Sequence, residues 1–232
     1  LLITEAHRRG IRVLIDLVLS HTSDRHPWFI AARETQQSGL GDCYVWADPS
    51  EDGGPPNNWL SVFGGPAWTF EPRRNQYYLH NFLATQPDLN FHSEKVQQEA
   101  LAIARWWLER GVDGFRLDTV NFYFHDQALR NNPRAARPDD QVVPTENPYS
   151  ELDHRFDKNQ PQVSGFLDKL GALLDEFPET IALGEIGAAK DKALDLMREY
   201  QSPGRLHLSY AFDLLSARFS ANHFRAFIRE NT

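Results

Sequence analysis

The chain is predicted to be an α/β protein built on a parallel sheet with a loop-rich inserted domain, for which an open doubly wound sheet and a closed (β/α)8 barrel (TIM barrel), here incomplete, both fit the order of elements. Three observations predict this. Aliphatic runs of strand length alternate with segments of helical apolar spacing, the order that a parallel sheet with helical crossovers requires. No glycine-rich phosphate loop follows any strand, which weighs against the other fold with this alternation, an open doubly wound nucleotide-binding sheet. A stretch of roughly 70 residues rich in turn formers separates the first strand from the next helix, and that is too long for a plain connection. A complete barrel takes about 250 residues without insertions. In 232 residues, the insertion and a later polar segment leave room for only four strands.

The elements follow in order. Residues 1–9 form the tail of an amphipathic helix, with Gly10 at the position of a C′ glycine. IRVLIDLVL, residues 11–19, is an almost unbroken aliphatic run, as in a parallel strand covered on both faces. Asp16 interrupts it, and a charge there needs a reason. From about Thr22 to Phe91, Gly, Pro, Asn, Asp and aromatic residues dominate; NQYYLHNF reads as a short strand, and no helical period of useful length is legible. Regularity returns at Ser93, where Val96, Ala100, Ile103, Ala104 and Trp107 share a helical face that Gly111 closes. VDGFRLDTV is the second strand. A polar segment runs from about Phe124 to Gln162, followed by a helix carrying Val163, Phe166, Leu167, Leu170, Leu173, Leu174 and Phe177 and stopped by Pro178. TIALGEI is the third strand, AAKDKALDLMREY a helix, RLHLSYAF the fourth strand, and ANHFRAFIRENT begins another helix. The expected division is barrel in 1–21, inserted domain in 22–92 and barrel again in 93–232. Both ends read as cut, so the chain is expected to be an internal piece of a longer protein.

Charge and composition exclude several function classes. With 24 Lys+Arg against 32 Asp+Glu, a net charge of −8 and no basic stripe, no nucleic-acid partner is expected. No run of about 18 apolar residues exists, so no membrane span is expected. The single cysteine, Cys43, forms neither an internal disulfide nor a thiolate zinc site, and its scarcity fits a cytoplasmic protein. No metal site and no cofactor are expected in this segment. Aromatic residues reach 12%, which suits a site that stacks flat ligands, although a large core gives the same count.

Chemistry concentrates at strand ends. In GFRLD, Arg116 and Asp118 fall on one face and Phe115 and Leu117 on the other. An ion pair at the end of a buried strand is costly unless the charges are used, and the C-terminal mouth is where barrel enzymes keep their chemistry. Taken alone, Arg-x-Asp reads as a structural salt bridge. Glu185 closes ALGEI, behind a glycine that lets neighbours approach, and taken alone reads as a solvated carboxylate. Asp16 and His21 close the first strand. Three consecutive strands therefore carry acid groups near their C-terminal ends. Two carboxyls across a small mouth with an arginine beside one suit glycoside hydrolysis, which needs one ionised carboxylate as nucleophile and one protonated carboxyl to release the leaving group. On this reading Arg116 keeps Asp118 charged, while Glu185, with no cation adjacent in sequence, sits in a partly apolar setting that suits a general acid.

DLVLSHTSDRHPWF, QPDLN (86–90), GFRLDTV and GEI resemble, in order, four motifs of the α-amylase family of retaining glycoside hydrolases, and QPDLN is similar to the marker of its oligo-1,6-glucosidase and α-glucosidase branch. The resemblance covers essentially the whole chain. It implies that the strands are about strands 3 to 6 of the barrel, with the insertion after the third. It further implies Asp118 as the nucleophile, Glu185 as the acid/base, Arg116 positioning Asp118, His21 binding the sugar, Asp16 supporting the mouth, and Phe63 and Phe82 as the insertion's aromatic wall. Thr119 stands where this branch's threonine goes with α-1,4 and its valine with α-1,6 preference. The implied activity is release of glucose from the non-reducing end of short, maltose-like α-glucosides through a covalent glucosyl-enzyme. Transglucosylation or sucrose isomerisation, and a non-catalytic role as ancillary subunit of a transporter, are the alternatives. Ser20 replaces the family's usual Asn before the histidine. The family's third carboxylate, in an Asn-His-Asp motif, and its divalent-ion loop have no counterpart in this sequence, so the segment alone is expected to lack useful activity.

Overall fold

The computed structural model describes residues 1–36, 39–136, 143, 146–212 and 220–231. In chain order, α1 (Leu2–His7) leads to β1 (Leu14–Leu17). Next come α2 (Pro27–Glu34) and three short strands, β2 (Trp46–Ala47), β3 (Trp68–Glu71) and β4 (Gln76–Leu79). The chain then runs through α3 (Glu94–Leu108), β5 (Gly114–Leu117), α4 (Gln162–Asp175), β6 (Ile181–Ile186), α5 (Lys190–Tyr200), β7 (Leu208–Ala211) and α6 (Ala221–Asn231). Four strands form one parallel sheet in the order β1-β5-β6-β7. Spatial order follows chain order, so there is no reversal point of the doubly wound kind; the sheet is an arc of a (β/α) barrel. The three strands of the insertion make a separate antiparallel sheet, β2-β4-β3.

The register puts the C-terminal ends of the parallel strands side by side: Leu17 opposite Leu117, Leu117 opposite Gly184, and Glu185 opposite Tyr210. Helices cover the outside. Val96, Ala100, Ala104 and Leu108 of α3 and Val163, Phe166, Leu167 and Leu170 of α4 are buried in one core with Phe115 and Leu117 of β5. Complete burial of a side chain such as Phe115 contributes about 1.5–3 kcal/mol, and several such side chains hold β5 rigidly beneath the site. Among the described residues, no helix is long and apolar enough to cross a membrane.

Three expectations are corrected. β1 is shorter than its aliphatic run and is not covered on both faces: Leu14 and Val18 are each more than 40% exposed. Among the described residues it has a sheet neighbour on one side only. Ile103 of α3 points outward and Leu108 takes the inward position instead. The insertion does hold a helix, α2, whose eight residues are too few for a period to be read. It is started by Pro27 and by the His26 side chain accepting from the Trp28 amide, and it buries Phe29 and Ala32. The segment read only as polar places Ser150, His154, Asp157 and Lys158 in buried positions.

At the opposite end of β5, Asp113 accepts from the Val13 amide (2.7 Å) and from Arg12 Nη1 (2.8 Å), and meets His7 Nε2 at 2.7 Å. Burial opposes its charge, but these donors hold its pKa down to about 2, below the ordinary 3.8. A depressed carboxylate contributes stability that is complete above 3.8 and is lost as the pH falls through about 2. Asp113→Asn is therefore expected to flatten the fall of melting temperature between about pH 4 and pH 2. An unchanged slope in thermal melts would remove Asp113 from the acid response.

Candidate active site

Asp16, Asp118 and Glu185 meet because β1, β5 and β6 are adjacent, parallel and in register. Strand alternation sends Phe115 and Leu117 into the core and leaves Arg116 on the other face, opposite Asp16. The Arg116 guanidinium is the hub. Its Nη1 donates to Asp16 Oδ1 (2.7 Å) and to Asp118 Oδ1 (2.6 Å), its Nη2 to Glu185 Oε2, and its Nε to Tyr210 Oη (3.1 Å). Tyr210 Oη in turn donates to Glu185 Oε2 at 2.6 Å. Burial works against the guanidinium charge; the bonds to Asp16 and Tyr210 and the charges of Glu185 and Asp118 outweigh it and hold the Arg116 pKa above its ordinary value. A structural ion pair needs one carboxylate per cation. Three carboxylates around one guanidinium leave surplus negative charge in a half-buried mouth, which costs stability and marks a site kept for chemistry.

Glu185 differs from its expected setting. Its side chain is buried, but it accepts from both Arg116 and Tyr210 instead of sitting apart from any cation. The cause is tertiary: both donors lie on neighbouring strands. Tyr210 was missed in the sequence, although its position at the end of the fourth strand is the same signal that marks the other three. Tyr210→Phe removes a hydrogen bond to a carboxylate, of about 1.5–3 kcal/mol. The expected loss is about 10- to 100-fold in kcat/KM; unchanged kinetics would reduce Tyr210 to a bystander.

His21 lies just past β1 and is bridged to Asp88. Its Nδ1 faces Ser20 Oγ and its Nε2 faces Gln86 Nε2, each at 2.9 Å. An amide nitrogen only donates, so Nε2 accepts, and Nδ1 carries the proton and donates to Ser20. Burial lowers the His21 pKa against the opposing pull of Asp118, which keeps the ring neutral. Ser20 thus supplies a hydrogen-bond partner for the ring. Both ring nitrogens are engaged by these partners. Gln86, first residue of QPDLN, is a contact that the motif alone did not show.

Thr119 is held at φ +40°, a left-handed conformation that is strained for a β-branched residue. Its hydroxyl lies 3.3 Å from Asp118 Oδ2 and 3.5 Å from Ser20 Oγ. Phe82 is the centre of an aromatic row, with ring centroids 5.5 Å from His21, 5.9 Å from Phe63 and 5.3 Å from Phe122. Phe63 is 64% exposed, so the row runs from the histidine out to solvent. Gly184, before Glu185, has the close neighbours expected: a Cβ there would lie 2.5 Å from Leu206 Cδ1. A separate hollow of about 290 Å³, lined by Asp42, Trp46, Arg74, His92 and His125 among others, contains none of these groups. Its Arg74 is committed to the carbonyls of Ala32 and Thr35. Among the described residues, no group of three or more His, Cys, Asp or Glu side chains is placed to hold a metal ion.

This geometry has close relatives. The chain is 55% identical over 218 residues to a probable α-glucosidase of Rhizobium meliloti (strain 1021), covering 93% of this chain and 39% of that protein. It is 34% identical over 212 residues to an oligo-1,6-glucosidase of Heyndrickxia coagulans, covering 91% and 36%. The crystal structure of an α-glucosyl transfer enzyme, XgtA, superimposes with a TM-score of 0.94 at 50% identity, over 99% of this chain and 43% of that one. The chain thus spans well under half the length of these relatives. The family model described as the α-amylase catalytic domain matches residues 1–229. By this match and these identities the chain belongs to the α-amylase family.

Proposed function

We propose that this chain carries the nucleophile and the acid/base of a retaining α-glucosidase. The enzyme releases glucose from the non-reducing end of short α-glucosides, with maltose-like α-1,4 links preferred over α-1,6. The observation that supports this reading is the single Arg116 guanidinium touching both Asp118 and Glu185. Carboxyls that share one guanidinium are close enough to flank one glycosidic bond, and retention asks for about 5–5.5 Å between them.

In the first step an Asp118 carboxylate oxygen attacks the anomeric carbon, the bond from that carbon to the leaving oxygen breaks, and Glu185 gives that oxygen its proton. In the second, Glu185 takes a proton from water, the hydroxide oxygen bonds to the anomeric carbon, and Asp118 leaves as carboxylate. Water is the only co-reactant. Arg116 orients Asp118 and compensates its charge. Neutral His21 hydrogen-bonds a sugar hydroxyl, and Phe82 and Phe63 wall the pocket. The Thr119 hydroxyl at the edge of the pocket supports the α-1,4 preference. A cytoplasmic location fits the one cysteine, which is free and buried.

A second reading, glucosyl transfer to another sugar, shares the first step and is favoured by the likeness to the α-glucosyl transfer enzyme. Proton NMR of the turnover of an aryl α-glucoside, whose glycone is the one source of glucose, using the protein with its natural flanking sequence, tests both. Release of α-glucose as the first anomer is expected. β-Glucose first would overturn retention, and transfer products outweighing glucose would move the conclusion to the second reading.

A further inference from the structure

Asp118 and Glu185 are both just beyond the last ladder pair that joins β5 to β6, Leu117 opposite Gly184. The β5–β6 ladder therefore does not itself set their separation, while β6 goes on pairing with β7 at Glu185 and Ile186. Past it, two side chains converge on the peptide of Gly187, two residues after Glu185. Asn121, three residues after Asp118 and fully buried, donates through Nδ2 to the Gly187 carbonyl (3.1 Å) and accepts through Oδ1 from the Gly187 amide (3.0 Å). Lys158, also buried, donates from Nζ to the same carbonyl at 2.9 Å. The ammonium sits 4.8 Å from the Phe122 ring and 5.0 Å from the Tyr149 ring. The grip is itself braced: Asn121 Nδ2 also donates to Asn159 Oδ1 (2.7 Å), and the Asn159 amide donates to the Asn121 carbonyl (2.8 Å). Sequence placed Lys158 in a polar stretch with no role, yet an ammonium in a fully buried setting is costly to keep. Burial lowers its pKa to about 8, against the pull of Asp157.

We propose that Asn121 and Lys158 are positioning residues that set the distance between Asp118 and Glu185, by gripping the Gly187 peptide from the nucleophile's own loop and from the polar segment. The proposal rests on the glucosidase reading. Neither residue is needed to touch the sugar. Arg116 and Tyr210 hold the Glu185 carboxylate, and the grip fixes the backbone just past it; with the grip released, Glu185 loses its alignment on the leaving oxygen while Asp118 still reaches the anomeric carbon.

The test compares kcat/KM for two substrates. Maltose has a leaving group that needs a proton, whereas α-glucosyl fluoride has one that needs little. In the protein with its natural flanking sequence, Asn121→Ala is expected to lower kcat/KM for maltose by about 100-fold and for the fluoride by less than about 5-fold. Loss of folded protein lowers both equally, so equal falls, or no fall, would overturn the proposal. If Asn121→Ala does not fold, Lys158→Met keeps the alkyl stem against Phe122 and Tyr149, and the same inequality is expected at about 10-fold for maltose. Wild-type protein inactive on both substrates would instead sink the glucosidase reading; activity on the fluoride with equal losses in the variants would sink this proposal alone.

Discussion

Replacement of Asp118 by asparagine is expected to lower maltose turnover by about 10⁴-fold or more while the protein still folds, because the amide is a poor nucleophile of almost unchanged shape. The side chain stands at a mouth with surplus negative charge, where Arg116 keeps Asp16 and Glu185 as partners when Asp118 is neutralised. Its removal relieves repulsion as it removes attraction, so the melting temperature is expected to move by only a few degrees. Steady-state assays and a thermal melt on the same preparation check both halves. Turnover within about tenfold of wild type would take the nucleophile role away from Asp118. Lost turnover with a collapsed melt would mean that the carboxylate holds structure.

The next largest effect is expected at Arg116. Arg116→Leu strips from Asp118 and Glu185 the one cation that touches them among the described residues and leaves two poorly solvated carboxylates facing each other beside Asp16. A loss of about 10³-fold in kcat/KM is expected, the scale of removing a preorganised charged donor. Arg116→Lys keeps the charge but cannot reach three carboxylates and Tyr210 at once, since an ammonium lacks the planar fork of donors. It is expected to recover at most about tenfold of that loss. A lysine variant as active as wild type would show that charge alone matters and that the fork geometry does not.

The same residue shows how far the site was legible. That Arg116 and Asp118 share a face follows from strand alternation and needs no coordinates. That Asp16 and Glu185 join them needs adjacent, parallel strands, an arrangement that the alternation of elements implies. That Tyr210 completes the set, and that Glu185 accepts from two donors, depends on the register between β6 and β7, which places Glu185 opposite Tyr210. Register is set by how the hydrophobic patterns of both strands pack together and is not read from either strand alone. Gln86 shows the same limit from another direction. Its motif was plain, but its bond to His21 joins groups far apart in the chain. Lys158 falls in the polar segment and Asn121 just past the second strand, where the sequence marks neither; only convergence on Gly187 separates them from ordinary loop residues.

The sequence by itself determined the order of strands and helices, the acid groups at three strand ends, the arginine beside one of them and the family, because periodicity and motif spacing are properties of the chain. It did not determine where β1 stops, the short helix α2, or the burial of the polar segment, since eight residues are too few to show a period and burial depends on what packs from elsewhere. Tertiary structure alone decided the partners of Glu185, the tautomer of His21 and the grip on Gly187. Each of these is a hydrogen bond between groups 25 to 69 positions apart in the chain, and such a bond exists only once the sheet has set both ends in place.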